Sequence, residues 1–189
     1  MMSKKWYLGL DPGKSGGCIL LDDKGSIKAR YIPEFIGDEC DVNSFSDFFE
    51  HCKKGVEEVS GILHVAIEDV HSIYGVSASA NFTFGFMVGL LRTLVKVNQL
   101  PYTMIQPKEW QKEVWVNSEI EREPDKLNKS GKKVPGKIKT KLTSLKASKR
   151  LWPTYDFRSN IDLKSRVKNP HDGLIDAALI AESVRRKNH

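Results

Sequence analysis

The sequence predicts an α/β domain built on one central mixed sheet, antiparallel at its start and parallel afterwards, with helices covering both faces. Two observations lead there. The opening segment "KKWYLGLDPGKSGGCILLDDKGSIKARYI" holds three strand-like runs in succession, separated by Gly-containing turns, as hairpin-connected strands are. Beyond it, strand-like runs alternate with stretches whose apolar residues recur at helical intervals, so the later strands are joined through helices and run parallel.

The elements follow in order. After the three strands, "NSFSDFFEHCKKGVEEV" places Phe45, Phe48, Phe49, Cys52, Val56 and Val59 at helical spacing, with Asn43 or Ser44 as the cap. "GILHVAIEDV" returns to strand character, and the loop "HSIYGVSASA" leads into a long apolar helix from about Asn81 to Val97. "PYTMIQ" is a short strand, and "PKEWQKEVW" a helix opened by Pro107 at its first position. Residues 117–141, rich in Lys, Gly, Pro, Asn and Ser, read as an insertion or flexible loop within a single domain. "KLTSLKASKRLW" is helical and stops before Pro153, and "NPHDGLIDAALIAESVRR" is the closing helix.

A chain of 189 residues is one domain, or one domain with a large insertion. Cys18, Cys40 and Cys52 are odd in number and lack C-x-x-C spacing, which argues against a zinc site and favours a reducing compartment. No apolar run of membrane-spanning length and no signal or transit peptide is read, so no membrane partner is expected and cytoplasm is the expected location. The net charge of +6 is uneven: between Lys126 and Arg150 stand ten Lys or Arg and no acid, leaving −4 for the rest of the chain. A mildly acidic body with one dense basic segment suits a polyanion such as nucleic acid; a solvated linker is the plainer reading of the same run.

The acids carry the chemistry. Asp11 ends the first strand at "LDPG", and Glu68 ends the strand "HVAIE". If those strands lie parallel and adjacent, both carboxylates reach the same sheet end about 4.8 Å apart. Asp69 is the rival to Glu68, but alternation turns it to the opposite face. Asp172 and Asp176 stand one above the other on the closing helix, whose apolar Leu174, Ile175, Ala178, Leu179 and Val184 would dock it across that end of the sheet. Each acid has an ordinary explanation: Asp172 as a helix cap, Asp11 as a turn residue. Converging, the four would repel strongly unless a cation lay between them, and hard oxygen ligands suit Mg²⁺ or Mn²⁺.

These residues resemble the RuvC-like Holliday-junction resolvases of the ribonuclease H-like superfamily. "YLGLDPGKSGG" resembles the family's first-strand motif, "HVAIEDVHSIYGVSASANFTFGFMVGLL" its second motif and following helix, and "HDGLIDAALIAE" its last. The stretch "FGFMVGLLRTLVKVNQLPYTMIQPKEWQKEVW" is most similar to the chloroplast and phage-type branch, and with no signal or transit peptide read a bacterial or phage-encoded type is expected. One position departs: the bacterial enzymes carry an acid or histidine three residues before the final carboxylate, where this chain has Gly173. That role passes to Asp172, with His171 as an alternative ligand or general base.

The resemblance implies a nuclease that resolves four-way DNA junctions by hydrolysis with two Mg²⁺ or Mn²⁺ ions per site and no small-molecule cofactor. Asp11 would bridge the ions, Glu68 and Asp176 complete one site each, and Asp172 assist. It implies a homodimer; Gly85 and Gly89 on "FTFGFMVGLL" permit a close helix contact, although burial as core alone accounts for that helix too. Tyr74, Phe82 and Phe84, read on the loop beside the site, would wedge against unstacked bases. Lys14, Lys108, Lys132, Lys133, Lys137 and Lys139 are candidates for DNA-backbone contacts. Two alternatives stay open from sequence: a broader flap or hybrid nuclease of the same fold, and a non-catalytic nucleic-acid-binding module.

Overall fold

The computed structural model describes residues 4–37, 39–69, 77–161 and 167–188. Strands β1 (Lys5–Asp11), β2 (Gly17–Leu21) and β3 (Ile27–Tyr31) form the antiparallel run expected, and a short hairpin of β4 (Phe35–Ile36) and β5 (Glu39–Cys40) follows. Helix α1 (Val42–Glu58) leads to β6 (Ile62–Glu68), and α2 (Ala78–Val97) to β7 (Tyr102–Ile105). The sheet order is β3-β2-β1-β6-β7, with β1, β6 and β7 parallel. Helices α3 (Pro107–Val114), α4 (Thr140–Leu151) and α5 (Asp172–Lys187) complete the main layers.

Alternation along the strands divides the interior into two cores. Leu8, Leu10, Val65 and Ile67 point to α1 and α2, where Phe45, Phe49, Cys52, Met87 and Leu91 meet them. Tyr7 and Ala66 point the other way, to α5, with Trp110 and Val114 of α3 and Ala147 of α4 completing that core. Helix α5 is buried on nearly every side from Gly173 to Val184, so each large aliphatic on it contributes about 1.5–3 kcal/mol by leaving water. It lies directly on β1: a Cβ placed on Gly9 would come within 2.0 Å of the Ala177 carbonyl oxygen. Glu182, at 3% exposure, is tolerated inside because Arg185 and Arg186 reach it at 2.6 and 2.8 Å.

Several local expectations are corrected. The cap of α1 is Asp41, whose carboxylate accepts from the Asn43 and Ser44 amides, rather than either of those residues. Helix α2 starts earlier than Asn81, capped by Ser77, so Phe82 and Phe84 are helical and not on a loop. By length and composition α2 is also long and apolar enough to cross a membrane, contrary to the sequence reading, because its Leu, Val and Phe residues offset Arg92 and Lys96. In the fold, Met87, Leu91, Leu94 and Val95 pack one side of it on the sheet. The other side is exposed, so α2 is not buried all round.

Residues 117–141 form a folded arm. A single 3-10 turn (Asn117–Glu119) precedes the hairpin β8 (Lys126–Leu127) and β9 (Lys133–Val134), continued by a bridge between Arg122 and Ile138. Arg150 of α4 anchors its base, bonding Glu119 at 2.5 Å and the Val114 carbonyl at 2.7 Å.

Candidate active site

Parallel pairing of β1 and β6 sets Leu10 against Ile67, so the next residues, Asp11 and Glu68, end neighbouring strands side by side. Both share the strand parity of Tyr7 and Ala66, the face covered by α5. Asp69 alternates away, and its amide continues the ladder to the Ile105 carbonyl at 2.8 Å.

The closing helix is brought to the same end by glycine. A Cβ on Gly173 would stand 2.3 Å from the Ser15 carbonyl oxygen, and one on Gly17 would stand 2.8 Å from the Gly173 backbone. The start of α5 therefore rests backbone to backbone on the β1–β2 turn. That contact explains the departure noted in the sequence: no side chain, acidic or otherwise, fits three residues before Asp176. His171 rather than Asp172 caps the helix, its Nδ1 accepting from the Leu174 amide at 3.3 Å. Asp172 is thereby free to line the cleft one turn before Asp176.

Asp11, Asp172 and Asp176 line a cleft of about 520 Å³ together with His171, Pro170 and Lys141. Glu68 stands behind it, close enough for its charge to act on Asp11 and Asp176. Burial, then the charges of Asp176, Glu68 and Asp172, push Asp11 well above the usual carboxylate range. Burial pushes Asp176 up to about 7; the Ser144 hydroxyl opposes this, Glu68 and Asp172 add to it, and Lys141 opposes it. Glu68 is raised by burial and held back by the Trp110 indole, which donates to its Oε1 at 2.8 Å. Oδ1 of Asp176 is buried with no hydrogen-bond partner among the described residues.

In this conformation the acids are neighbours in charge without encircling one point. Among the described residues no three His, Cys, Asp or Glu side chains stand arranged to hold an ion. Among the described residues the cation lining the cleft is the Lys141 ammonium, 2.7 Å from Asp172 Oδ2. The donor chemistry still fits a hard divalent ion: all the acids offer oxygen, they repel one another, and the buried Asp176 Oδ1 lacks a partner among the described residues.

The other sequence candidates spread around this cleft. Lys14, on the β1–β2 turn, sits over the Phe35 ring at 5.1 Å. It shares a hollow with half-buried Phe84, whereas Phe82 is 78% exposed. Lys108, exposed, is the second residue of α3 and follows directly from β7, at the sheet end of Glu68. Tyr74 lies outside the described residues. Lys132, Lys133, Lys137 and Lys139 are exposed on the arm. The arm is less positive than its own run of lysines, because acids just before it fold back: Glu123 pairs with Lys126, Asp125 with Lys133, and Glu121 with Lys146. Sequence reasoning missed Trp110, Ser144 and Lys141 as site residues. The first stood unremarked within the helix opened by Pro107, the second had no local signal, and the third was one lysine among ten.

No family model and no curated protein sequence matches the chain. Solved structures do. Thermus thermophilus RuvC in complex with a Holliday junction substrate superposes with a TM-score of 0.54 at 11% identity, over 97% of this chain and 95% of that one. A second Thermus thermophilus RuvC structure gives 0.56 at 13% identity over the same shares. The fold is RuvC-like. Its mixed sheet of five strands with helices on both faces is the ribonuclease H-like fold expected from sequence.

Proposed function

We propose that the chain is a divalent-metal-dependent endonuclease that resolves four-way DNA junctions, nicking paired strands as a homodimer. The observation that carries this reading is the electrostatic coupling of Asp11, Glu68, Asp172 and Asp176 at one end of a RuvC-like sheet. The RuvC of similar fold is seen with a Holliday junction substrate.

Asp11, Glu68 and Asp176 would hold Mg²⁺ or Mn²⁺, with Asp172 assisting. Bound there as a pair, the ions would supply activation of water and stabilisation of the leaving oxygen. The chain's own residues do the rest. Trp110 fixes Glu68 by its N–H, leaving the second carboxylate oxygen available. Lys141, reaching the cleft from the first turn of α4, is placed to exchange Asp172 for a phosphate oxygen. Burial pushes His171 below its ordinary pKa, which favours the neutral ring. Because its Nδ1 caps the helix, its proton sits on Nε2, and the ring offers the cleft a donor for phosphate rather than a lone pair for metal. The Ser144 hydroxyl bonds Asp176, read here as a metal ligand, so the reading is direct attack by water rather than by a serine nucleophile.

A second copy has a surface to meet. Phe82, Gly85, Phe86 and Gly89 form one exposed side of α2, and a Cβ on either glycine would touch nothing within 4 Å among the described residues. Beside them Phe35, Cys40 and Val42 complete an apolar groove of about 360 Å³.

The test is a substrate panel of four-way, three-way, flap, hybrid and duplex molecules under one metal and salt condition. The expected result is symmetric nicking of the four-way junction, preferred over the rest. Equal cutting of flaps or hybrids would replace the junction assignment with a broader nuclease, and no cutting of any substrate would leave a binding module.

A further inference from the structure

A second hollow, of about 250 Å³, lies on the far side of Pro170 from the acidic cleft, and Pro170 lines both. The wall between them is a short pairing: Arg158 bridges to Pro170, and the His171 amide donates to the Phe157 carbonyl at 2.8 Å. One side of α4 leads from cleft to hollow. Lys141 lines the first, while Leu145, Ser148, Lys149 and, just past the helix end, Trp152 line the second. Those residues follow Lys141 at helical intervals, and Lys149 lies about 12 Å further along the axis.

The hollow joins two kinds of wall. Trp152, Tyr155 and Phe157 form an aromatic cluster, with Tyr155 and Phe157 edge to face at 4.7 Å and Trp152 and Phe157 at 6.1 Å. It is held in place: the Trp152 indole donates to the Gly25 carbonyl at 2.8 Å, and Arg30 donates to the carbonyls of Asp156 and Arg158 at 3.1 and 2.8 Å. The rim carries Lys149, Lys168 and Arg158 against one acid, Asp156, which Arg158 neutralises at 2.5 Å. Neither Lys149 nor Lys168 has an ion-pair partner among the described residues.

We infer that this hollow is a nucleotide subsite. It takes one unstacked nucleotide of the strand whose phosphate lies in the acidic cleft, the base against Tyr155 and Trp152 and its phosphate between Lys149 and Lys168. The inference rests on the nuclease reading and extends it. An aromatic wall alone would accept any flat apolar group, and a cationic rim alone any anion; together they select a base joined to a phosphate. A base stacked within a duplex does not present its face, so the subsite favours strands opened at a branch.

The test uses the full chain with the inert substitution Asp11→Asn, an end-labelled six-residue oligothymidylate, and a four-way junction carrying 2-aminopurine at the branch point. Tyr155→Ala should weaken oligothymidylate binding about tenfold. It should also remove most of the fluorescence change that 2-aminopurine shows on binding. Lys149→Ala with Lys168→Ala, both at exposed positions that folding does not need, should lower the salt slope of binding by about 2. Affinity, slope and fluorescence all unchanged in the lysine pair and in folded Tyr155→Ala would overturn the subsite. If the unsubstituted protein cuts junctions while these variants bind normally, the subsite fails alone. If the variants lose oligothymidylate binding but no junction is ever cut, the subsite stands and the nuclease reading fails.

Discussion

The indole N–H of Trp110 donates to Glu68 Oε1 at 2.8 Å, and the carboxylate has no other hydrogen-bond partner among the described residues. Trp110 is 2% exposed, packed edge to face with Trp115 at 5.8 Å, and carried by the helix that follows β7. The orientation of one strand-end acid is thus set by a residue from a separate helix. Trp110→Phe keeps a smaller aromatic ring and deletes the donor. It should reduce Mn²⁺ affinity about 10–100-fold by calorimetry. The accompanying loss of stability should be on the order of 2 kcal/mol. Unchanged metal affinity in a folded variant would show that Trp110 only fills the core.

Asp11→Asn and Asp176→Asn each remove a charge from the cleft. Both should abolish junction cutting while junction affinity stays equal or rises, because the acids repel the DNA backbone in the absence of metal. A variant that still nicks in Mg²⁺ at the unsubstituted rate, followed on a denaturing gel, would remove that residue from the site.

Asp176 titrates at about 7 in the fold against an ordinary value of 3.8, so the folded state binds the extra proton between those limits. Stability of the metal-free protein therefore falls as pH rises from about 4 to about 7. Asp11, raised in the same direction, adds to the fall. Thermal melts across that range should show the decline, and Asp176→Asn should flatten it. Added Mg²⁺ should raise Tm more at pH 8 than at pH 5, since protonated carboxyls do not bind it.

The arm separates paired from unpaired lysines. Lys132, Lys137 and Lys139 have no ion pair among the described residues, whereas Lys126 and Lys133 are held by Glu123 and Asp125. Replacing the first three with Gln should lower the salt slope of junction binding by roughly 3. Replacing the paired two should change it less, and equal effects from both sets would show that the pairs open on DNA.

Phe82 and Phe84, alike in the sequence, part company in the structure. Phe82 projects from the exposed side of α2, and Phe84 faces the hollow beside Lys14. Phe82→Asp should shift the protein to monomer in sedimentation at micromolar concentration. Phe84→Leu should leave the mass unchanged and slow junction cleavage more than duplex binding. The reverse pattern would exchange the two roles.

Much of this fold is written in local periodicity. Alternation in "KWYLGLD" and "ILHVAIE", glycine at the turns, Pro107 opening α3 and the apolar run of α5 each declare an element from neighbouring residues alone. The same alternation chose Glu68 over Asp69. What no local pattern held was which distant surfaces would meet. Gly173 reads as a gap in an acidic motif until Ser15 and Gly16 are found against it, and Lys141 reads as one charge in a run until Asp172 stands beside it. The arm's charge could not be told from the run of lysines, because Asp125 meets Lys133 only across the hairpin and Glu121 meets Lys146 only where the arm packs on α4. Periodicity is a property of a few consecutive residues and survives in the linear chain. Close backbone contact, shared charge and exposure depend on pairs far apart in sequence, and exist only once the chain has folded.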